Sequence, residues 1–465
     1  MYQIDFDRPI HIHFIGIGGI SMSGLAEILL EKGFTVSGSD AKASPLTELL
    51  RKKGAAIFIG QKKENLNSDI DLVVYTSAIH SDNPEYIAIQ ERNLPSLTRA
   101  QLLGQIMKTY ELPVAVSGTH GKTTTTSMIS EILLRAETDP TLSIGGILKS
   151  IGGNIRIGHS PFFVTEACEY TNSFLSFFPK VGIILNVEED HLDFFKDIDD
   201  IRNSFHKFAA LIPPEGILII NGEIPEIDKI TKGLSCRVVT YGSSAEFDYH
   251  PEEISHDEKG FSGFRLCKSN AQEGSIPSGS LFTLGVPGVH NIYNAMAAIA
   301  FADLFSIDLS VIQNALSQFH GTDRRFEYKG TIDGITLIDD YAHHPTEITA
   351  TLSAAANYPH KSIWCVFQPH TFTRTRAFMK EFAKALCLAD HVILTDIYPA
   401  RETDNLGISS KNLQDEVISQ GGDCYYFSSF DEIQKFILEK CSTGDLLITM
   451  GAGNVAAIGD CLLKR

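Results

Sequence analysis

The chain has no Cys-x-x-Cys pair. Its eight cysteines are scattered singly, so a zinc ribbon or a dithiol redox site is not expected and reduced, buried thiols are. It has no long apolar run. Stretches such as Ile217-Leu218-Ile219-Ile220 fall far short of the about 20 residues that span a bilayer. The amino end, Met1-Tyr2-Gln3-Ile4-Asp5-Phe6-Asp7, has no basic segment followed by an apolar one. No signal peptide or membrane insertion is therefore expected, and a cytoplasmic location is. Basic charge is in deficit: 39 Lys and Arg stand against 57 Asp and Glu, a net charge of −18. That argues against nucleic acid or an acidic membrane as partner. It does not exclude small anions, because a glycine loop or one arginine binds phosphate locally.

What the chain does have is length and rhythm. Its 465 residues are 43% hydrophobic and 21% charged, a globular balance, and at roughly 150 residues per domain they predict about three domains. Short β-rich apolar runs alternate with amphipathic stretches. Strands are expected at Ile10–Ile15, Phe34–Gly38 and Leu72–Thr76, and a helix at Met22–Lys32. This is the βαβ rhythm of a parallel sheet covered by helices. It restarts at Pro113-Val114-Ala115-Val116-Ser117, and again near Gly321-Thr322-Asp323-Arg324-Arg325 after a helix at Asn291–Leu304. Ile335–Asp339, Ser362–Phe367, His391–Thr395 and Leu446–Met450 then predict four more strands. The expected fold class is α/β in three domains: a Rossmann-like one over 1–112, a P-loop-type ATPase domain with a parallel sheet over 113–322, and a Rossmann-like one over 323–465. The polar, Gly- and Ser-rich stretch Ser243–Gly285 is expected to be an irregular β excursion of the middle domain.

The central restart carries the strongest chemical signal. Val116-Ser117-Gly118-Thr119-His120-Gly121-Lys122-Thr123-Thr124 has the order of a phosphate loop without its usual spacing of Gly, four residues, Gly-Lys-Ser/Thr. Here two residues separate Gly118 from Gly121. The physics still holds. A buried strand ends at Ser117, the loop amides can fold round a phosphate, and a helix starting near Lys122 aims its positive end at the same place. Lys122 adds a point charge, and the Thr123 hydroxyl suits Mg²⁺. The bland alternative is a glycine turn with a solvated Lys and Thr. A Mg²⁺ site needs further ligands. Glu166 and His191, near the ends of the next two expected strands, stand where a parallel sheet opens on its ligand crevice.

A second glycine loop lies at the amino end, Gly16-Ile17-Gly18-Gly19-Ile20-Ser21-Met22-Ser23-Gly24. Ser21 occupies the third-glycine position of the dinucleotide fingerprint, and Asp40 ends the next strand where an acidic group can hold ribose. Alone, this loop could bind NAD, another nucleotide diphosphate, or nothing. Two nucleotide sites in tandem predict that one carries a substrate handle and the other supplies energy.

Together these motifs resemble the Mur ligase family over nearly the whole chain. The resemblance rests on the two glycine loops, Glu166, Asp190-His191, His290-Asn291-Ile292-Tyr293-Asn294-Ala295 and Arg324-Arg325-Phe326-Glu327. It continues through Asp339-Asp340-Tyr341-Ala342-His343-His344-Pro345 and Gln368-Pro369-His370. It implies an ATP-dependent amide ligase. ATP would phosphorylate a substrate carboxylate, an amine would displace phosphate, and no covalent protein nucleophile would be needed. The implied small-molecule partners are UDP-N-acetylmuramate, L-alanine and ATP, with Mg²⁺ as cofactor, on a monomer or weak homodimer.

The same resemblance implies the site. Gly16, Gly18, Gly19 and Ser21 would meet the UDP diphosphate, with Asp40 and Ser77 lining that pocket. Gly118, Thr119, His120, Gly121, Lys122, Thr123 and Thr124 would hold the ATP phosphates. Asn291 would contact adenine, Arg325 the phosphates and Asp340 the ribose. Thr123 and Glu166 would bind one Mg²⁺ and His191 a second. Tyr341, His343, His370 and Arg374 would surround the amino acid, with His343 as amine base, the residue type that titrates near neutrality. His344, Asn291 and Asn294 could instead be helix caps. Ser21, Cys168 and Thr371 depart from the family's usual Gly, acidic residue and Arg, which leaves Arg374 and Arg376 as candidate carboxylate clamps. Other readings are a recycling ligase that attaches a ready-made peptide, an NAD-dependent oxidoreductase using Gly16–Asp40, and a nucleotide-gated binding module. Gln368-Pro369-His370 favours the single-amino-acid ligase.

Overall fold

The apolar runs become the inner strands of three sheets. Val181–Ile184, Ile363–Phe367 and Leu446–Met450 are buried at every residue. Covering helices bury both faces of such strands, so they read as continuous apolar rather than alternating. The computed structural model describes residues 2–76, 79–258, 260–269, 276–400 and 402–464.

The first sheet is five-stranded and parallel, in the order Ala56–Ile59, Thr35–Asp40, His11–Ile15, Leu72–Tyr75, Ser96–Thr98. The third has six strands, in the order Glu327–Ile332, Ile335–Asp340, Leu446–Met450, Ile363–Phe367, His391–Leu394, Cys424–Tyr426. Only its first pair is antiparallel. The α/β class is as expected. The sequence reading found four strands in this sheet and missed Glu327–Ile332 and Cys424–Tyr426, both at the edges.

The middle sheet has ten strands. Its parallel part runs Arg237–Tyr241, Ile217–Asn221, Val181–Ile184, Leu112–Ser117, Phe162–Glu166, Thr141–Leu148. The expected β excursion is found as an extension of this sheet, irregular in that both of its antiparallel pairings carry register shifts. Tyr249–His256, Phe261–Lys268 and Ser280–Pro287 pair antiparallel in sequence, and the first pairs with Arg237–Tyr241. Tyr249–His256 is exposed over its last five residues, so its polar face hid the strand pattern.

The first two sheets share one apolar core, which runs from Ile12 and Leu102 through Phe174, Phe205 and Phe208. The helix Arg99–Met107 lies so close to the segment Tyr170–Ser176 that a Cβ on Gly104 would fall 1.9 Å from the Ser176 carbonyl oxygen. Among the described residues, no helix is long and apolar enough to cross a membrane.

Candidate active site

The strand Leu112–Ser117 delivers the phosphate loop to the carboxyl edge of the middle sheet. Gly118 and Gly121 hold φ of +144° and +82°, where glycine alone is at ease. A Cβ on Gly121 would also meet Asn294 Oδ1 at 2.5 Å, so the loop rests directly on the helix His290–Leu304. The amides of Thr119 and His120 donate to Asn186, at 3.2 and 2.7 Å. The helix Lys122–Arg135 then starts with no side-chain cap, leaving an open amide terminus suited to an anion.

Lys122 Nζ turns back into this loop. It donates to the carbonyls of Gly118 and Thr119 and meets both Glu169 oxygens, at 3.0 and 3.3 Å. Burial alone would lower its pKa, but Glu169 outweighs it and holds the ammonium above its ordinary value. Glu169 is 2% exposed and was not singled out in the sequence. Its place three residues beyond Glu166, on the same loop, is the signal that could have found it.

A cavity of about 320 Å³ lies beside the loop, lined by His120, Gly121, Thr124, Asn291, Arg325 and Asp340 among others. It joins the middle sheet to the third one. Asp340 is buried and accepts the amides of Ala342 and Phe326, at 2.7 and 2.8 Å. Burial pushes its pKa up to about 6, with Arg325 acting the other way. Arg324 is spent on structure, bonding Asp339 and the carbonyls of Gly451 and Gly453. Arg325 is the arginine that faces the cavity. Asn291 donates to Pro287 O at 2.7 Å and receives Asn294 Nδ2 at 3.0 Å. Val289 holds the N-cap position of this helix, and no side chain caps it. His344 does cap the helix Pro345–Ala355, with Glu347 completing the box.

Of the residues expected at metal, Thr123 and Glu166 converge on Gly145-Gly146. The Gly145 amide donates to Glu166 Oε1 at 2.5 Å, and a Cβ on Gly146 would meet Thr123 Cγ2 at 3.2 Å. His191 stands elsewhere, stacked on Tyr170 at 4.4 Å. Its Nε2 is 3.7 Å from both Glu169 and Asp190. Burial lowers the His191 pKa, with Asp190 and Glu169 opposing. Among the described residues, clusters of three metal-capable side chains occur at His120–Glu188–His344 and His250–Glu252–Cys267. Neither contains Glu166 or His191.

A second cavity, of about 630 Å³, is lined by His191, His343, His370, Thr371, Arg374 and Arg376 among others. Tyr341 is not in its lining. It packs edge-on to His343 at 5.3 Å and under Arg324 and Arg325. His343 Nδ1 lies 3.0 Å from Tyr341 O and 3.2 Å from Glu347. His370 is held neutral, pushed down to about 3 by burial and then by His343 and Arg374. Arg374 is not a free clamp: it donates to Asp190 Oδ1 at 2.8 and 3.1 Å and contacts His370 at 3.2 Å. Burial opposes the Asp190 charge, but Arg374 and His191 hold its pKa far below the carboxylate range. Arg376 is exposed and stays at the rim.

Three consecutive acidic residues tie the middle sheet to the third. Glu188 accepts from Thr346 at 2.7 Å, Glu189 O meets His344 Nε2 at 3.2 Å, and Asp190 holds Arg374. His120 joins them, with its ring nitrogens 3.2 Å from Glu347 and 3.4 Å from Glu188. Burial would lower His120, yet the two carboxylates push it up to about 9. Glu188 and Glu347 were missed in the sequence. The His344-x-x-Glu347 capping spacing marks the second of them.

At the amino end, the Gly16 and Ile17 amides donate to Ser39 O, and Gly19 leaves the helix Ile20–Glu31 without a side-chain cap. Asp40 closes the loop from outside, accepting the Gly18 amide at 2.9 Å. Ser21 Oγ accepts from Arg99, at 2.9 Å. Ser77 lies outside the described residues.

The descriptions "Mur ligase family, catalytic domain", "Mur ligase middle domain" and "Mur ligase, glutamate ligase domain" match residues 11–111, 116–302 and 324–453. UDP-N-acetylmuramate–L-alanine ligases of Agathobacter rectalis and Lachnospira eligens are 56% and 57% identical over 465 residues, covering all of both chains. The one from Clostridium kluyveri is 51% identical over 463 residues, again covering all of both. Among solved structures, the UDP-N-acetylmuramate–alanine ligase MurC of Thermotoga maritima has a TM-score of 0.81 at 31% identity, over 98% of this chain and 99% of that one. A murein peptide ligase of Psychrobacter arcticus has a TM-score of 0.72 at 28% identity, over 98% of each.

Proposed function

The chain belongs to the Mur ligase family, and we propose that it is an ATP-dependent ligase joining the carboxylate of UDP-N-acetylmuramate to the amine of L-alanine in peptidoglycan precursor synthesis. The observation that carries this is full-length identity of 51–57% to enzymes of that name. The site geometry supports it: one charged lysine stands on an open phosphate loop, beside two cavities walled by the third sheet's loops. The recycling alternative is less favoured, since the alanine ligase fold lies nearer than the murein peptide ligase. A match of the family along all three sheets leaves the oxidoreductase reading without support. The setting proposed is cytoplasmic, for a monomer or weak homodimer. We also place the domain limits near 112 and 322, in keeping with sheet strands spanning 11–98, 112–287 and 327–450.

In this reading the ATP base enters the smaller cavity by Asn291, and Asp340 meets its ribose. Lys122, with the loop amides and Arg325, neutralises charge on the transferring phosphoryl group. Thr123 and Glu166 fit Mg²⁺, an oxygen-seeking ion, because Gly145 and Gly146 leave the space between them free: a Cβ on Gly145 would strike the Glu166 carboxylate at 2.5–2.6 Å. His191 is the proposed holder of a second ion. Bound there, Mg²⁺ would offset phosphate charge.

A carboxylate oxygen of the substrate attacks the γ-phosphorus, the bridging P–O bond to ADP breaks, and an acyl phosphate forms. The amine nitrogen attacks the carbonyl carbon, its proton passes to His343, and the C–O bond to phosphate breaks. Positioning supplies much of the rate, since both steps bring bound groups together. His343 is oriented for this by Tyr341 O and Glu347.

The test is phosphate release from ATP and UDP-N-acetylmuramate with L-alanine, glycine, L-serine or L-Ala-γ-D-Glu-diaminopimelate as acceptor. Release that depends on L-alanine is expected. Release with the peptide alone would transfer the protein to the recycling branch.

A further inference from the structure

We infer that Arg99, set in place by the hydroxyl of Ser21, takes an oxyanion of the sugar-nucleotide substrate, either its diphosphate or its carboxylate; this rests on the ligase reading above. Arg99 opens the helix Arg99–Met107, whose start is fixed by the Thr98–Gln101 capping box. The Gly104 contact presses the same helix onto Tyr170–Ser176, the segment that follows Glu166 and Cys168. The first residue of the helix is thereby held at the seam between the amino-terminal glycine loop and the phosphate-transfer site.

The guanidinium has five N–H donors. Among the described residues it makes one hydrogen bond, to Ser21 Oγ at 2.9 Å, and no ion pair within 4.0 Å. It is half-buried, and burial lowers its pKa, opposed by Cys168 and Glu166 nearby. A cation withdrawn from water without a counter-ion costs folding free energy. No carboxylate pairs with Arg99 directly among the described residues, and Glu166 acts on it only from beyond ion-pair distance. Asp40 is engaged by the Gly18 amide, and Glu166 by the Gly145 amide.

A substrate anion would supply the counter-ion. The open amide end of Ile20–Glu31 is on the same loop as Ser21, where the diphosphate is proposed to lie. The carboxylate must pass on towards Glu166 to be phosphorylated. The Ser21 hydroxyl accepts from Arg99 Nη1, so it is what orients the Arg99 fork in this chain. Ser21 is therefore a positioning residue that acts through Arg99.

The experiment is calorimetric titration of the full chain with UDP, UDP-N-acetylglucosamine and UDP-N-acetylmuramate. It compares the parent with Arg99→Gln, Arg99→Lys, Ser21→Ala and the Ser21→Ala/Arg99→Gln pair. ATP affinity and melting temperature serve as controls. Arg99→Gln is expected to weaken UDP-N-acetylmuramate roughly tenfold or more, with ATP affinity unchanged and melting temperature equal or higher. Equal weakening of all three ligands assigns the diphosphate. Weakening of UDP-N-acetylmuramate alone assigns the carboxylate. Arg99→Lys keeps charge without the fork and should fall between parent and Arg99→Gln. Ser21→Ala should weaken the same ligands by less, and add nothing once Arg99 is gone. Unchanged affinity for all three ligands in folded Arg99→Gln would overturn the inference, as would additive effects in the pair. A parent that binds none of the three would instead overturn the ligase reading on which it rests.

Discussion

Lys122 shows what a single residue must reconcile. Its ammonium is proposed to face phosphate, yet here it is paired with Glu169, which is 2% exposed. Removing the lysine leaves that carboxylate buried with only His191 nearby among the described residues, at 3.7 Å, and breaking a buried pair costs about 3–5 kcal/mol. Lys122→Ala should therefore lose both phosphoryl transfer, by roughly a hundredfold or more, and thermal stability. Adding Glu169→Gln should restore the melting temperature but not the activity. Recovery of both would remove Lys122 from the chemistry. Thr371 poses a second test. By the family resemblance it stands where an arginine is usual, and the structure shows that Arg374 is already engaged by Asp190. Thr371→Arg should then lower the KM for L-alanine, and an unchanged KM would mean that no clamp is missing. At this scale the sequence singled out Lys122 and Arg325, the groups proposed here for the phosphate chemistry. It missed Glu169, Glu188 and Arg99, whose roles depend on which distant residue they face.

At the scale of elements, the phosphate loop works because it is seated. Gly121 combines φ +82° with contact on Asn294, so spacing and seat are fixed together. Gly121→Ala should cost about 1–3 kcal/mol from the backbone conformation alone, and nucleotide affinity should fall with it. A variant of parental stability and affinity, measured by melting and titration, would show that the seat yields. The strand–loop–helix order was legible because it is local: an apolar run, glycines, then a helix start. The extension Tyr249–His256, Phe261–Lys268 and Ser280–Pro287 was legible only as an irregular β excursion, without its strand limits or its pairing. Tyr249–His256 exposes a long polar stretch, and its pairing with the parallel sheet is a tertiary fact. The two edge strands of the third sheet were missed because Cys424–Tyr426 is three residues long and Glu327–Ile332 sets charged residues and a glycine among few apolar ones.

At the scale of the molecule, the middle and third sheets are held by Glu188, Glu189, Asp190 and His120. The His120 pKa is raised from 6.5 to about 9 while the two sheets are joined in this way. A raised pKa means the joined form binds the proton more tightly than the parted one. Its stabilisation is thus complete below about pH 6.5 and is lost as pH rises through about 9. Glu347 is held well below its ordinary value, against burial, by His343 and His120, so its own share is lost on the acid side. The radius of gyration by solution scattering should grow between pH 6.5 and 9.5, and His120→Gln should flatten that change. Growth that persists in His120→Gln would place the switch elsewhere. The sequence could not show this joint, because no local pattern records which domain a loop will touch.

The central claim is that the two cavities share one carboxylate, activated by phosphate and then taken by an amine. Its most direct test is isotopic. UDP-N-acetylmuramate carrying ¹⁸O in the lactyl carboxylate is turned over with ATP and L-alanine, and the released phosphate is weighed by mass spectrometry. An acyl phosphate transfers one carboxylate oxygen to phosphate, so each phosphate should carry a single ¹⁸O from doubly labelled substrate. Amide product accompanied by unlabelled phosphate would contradict the account.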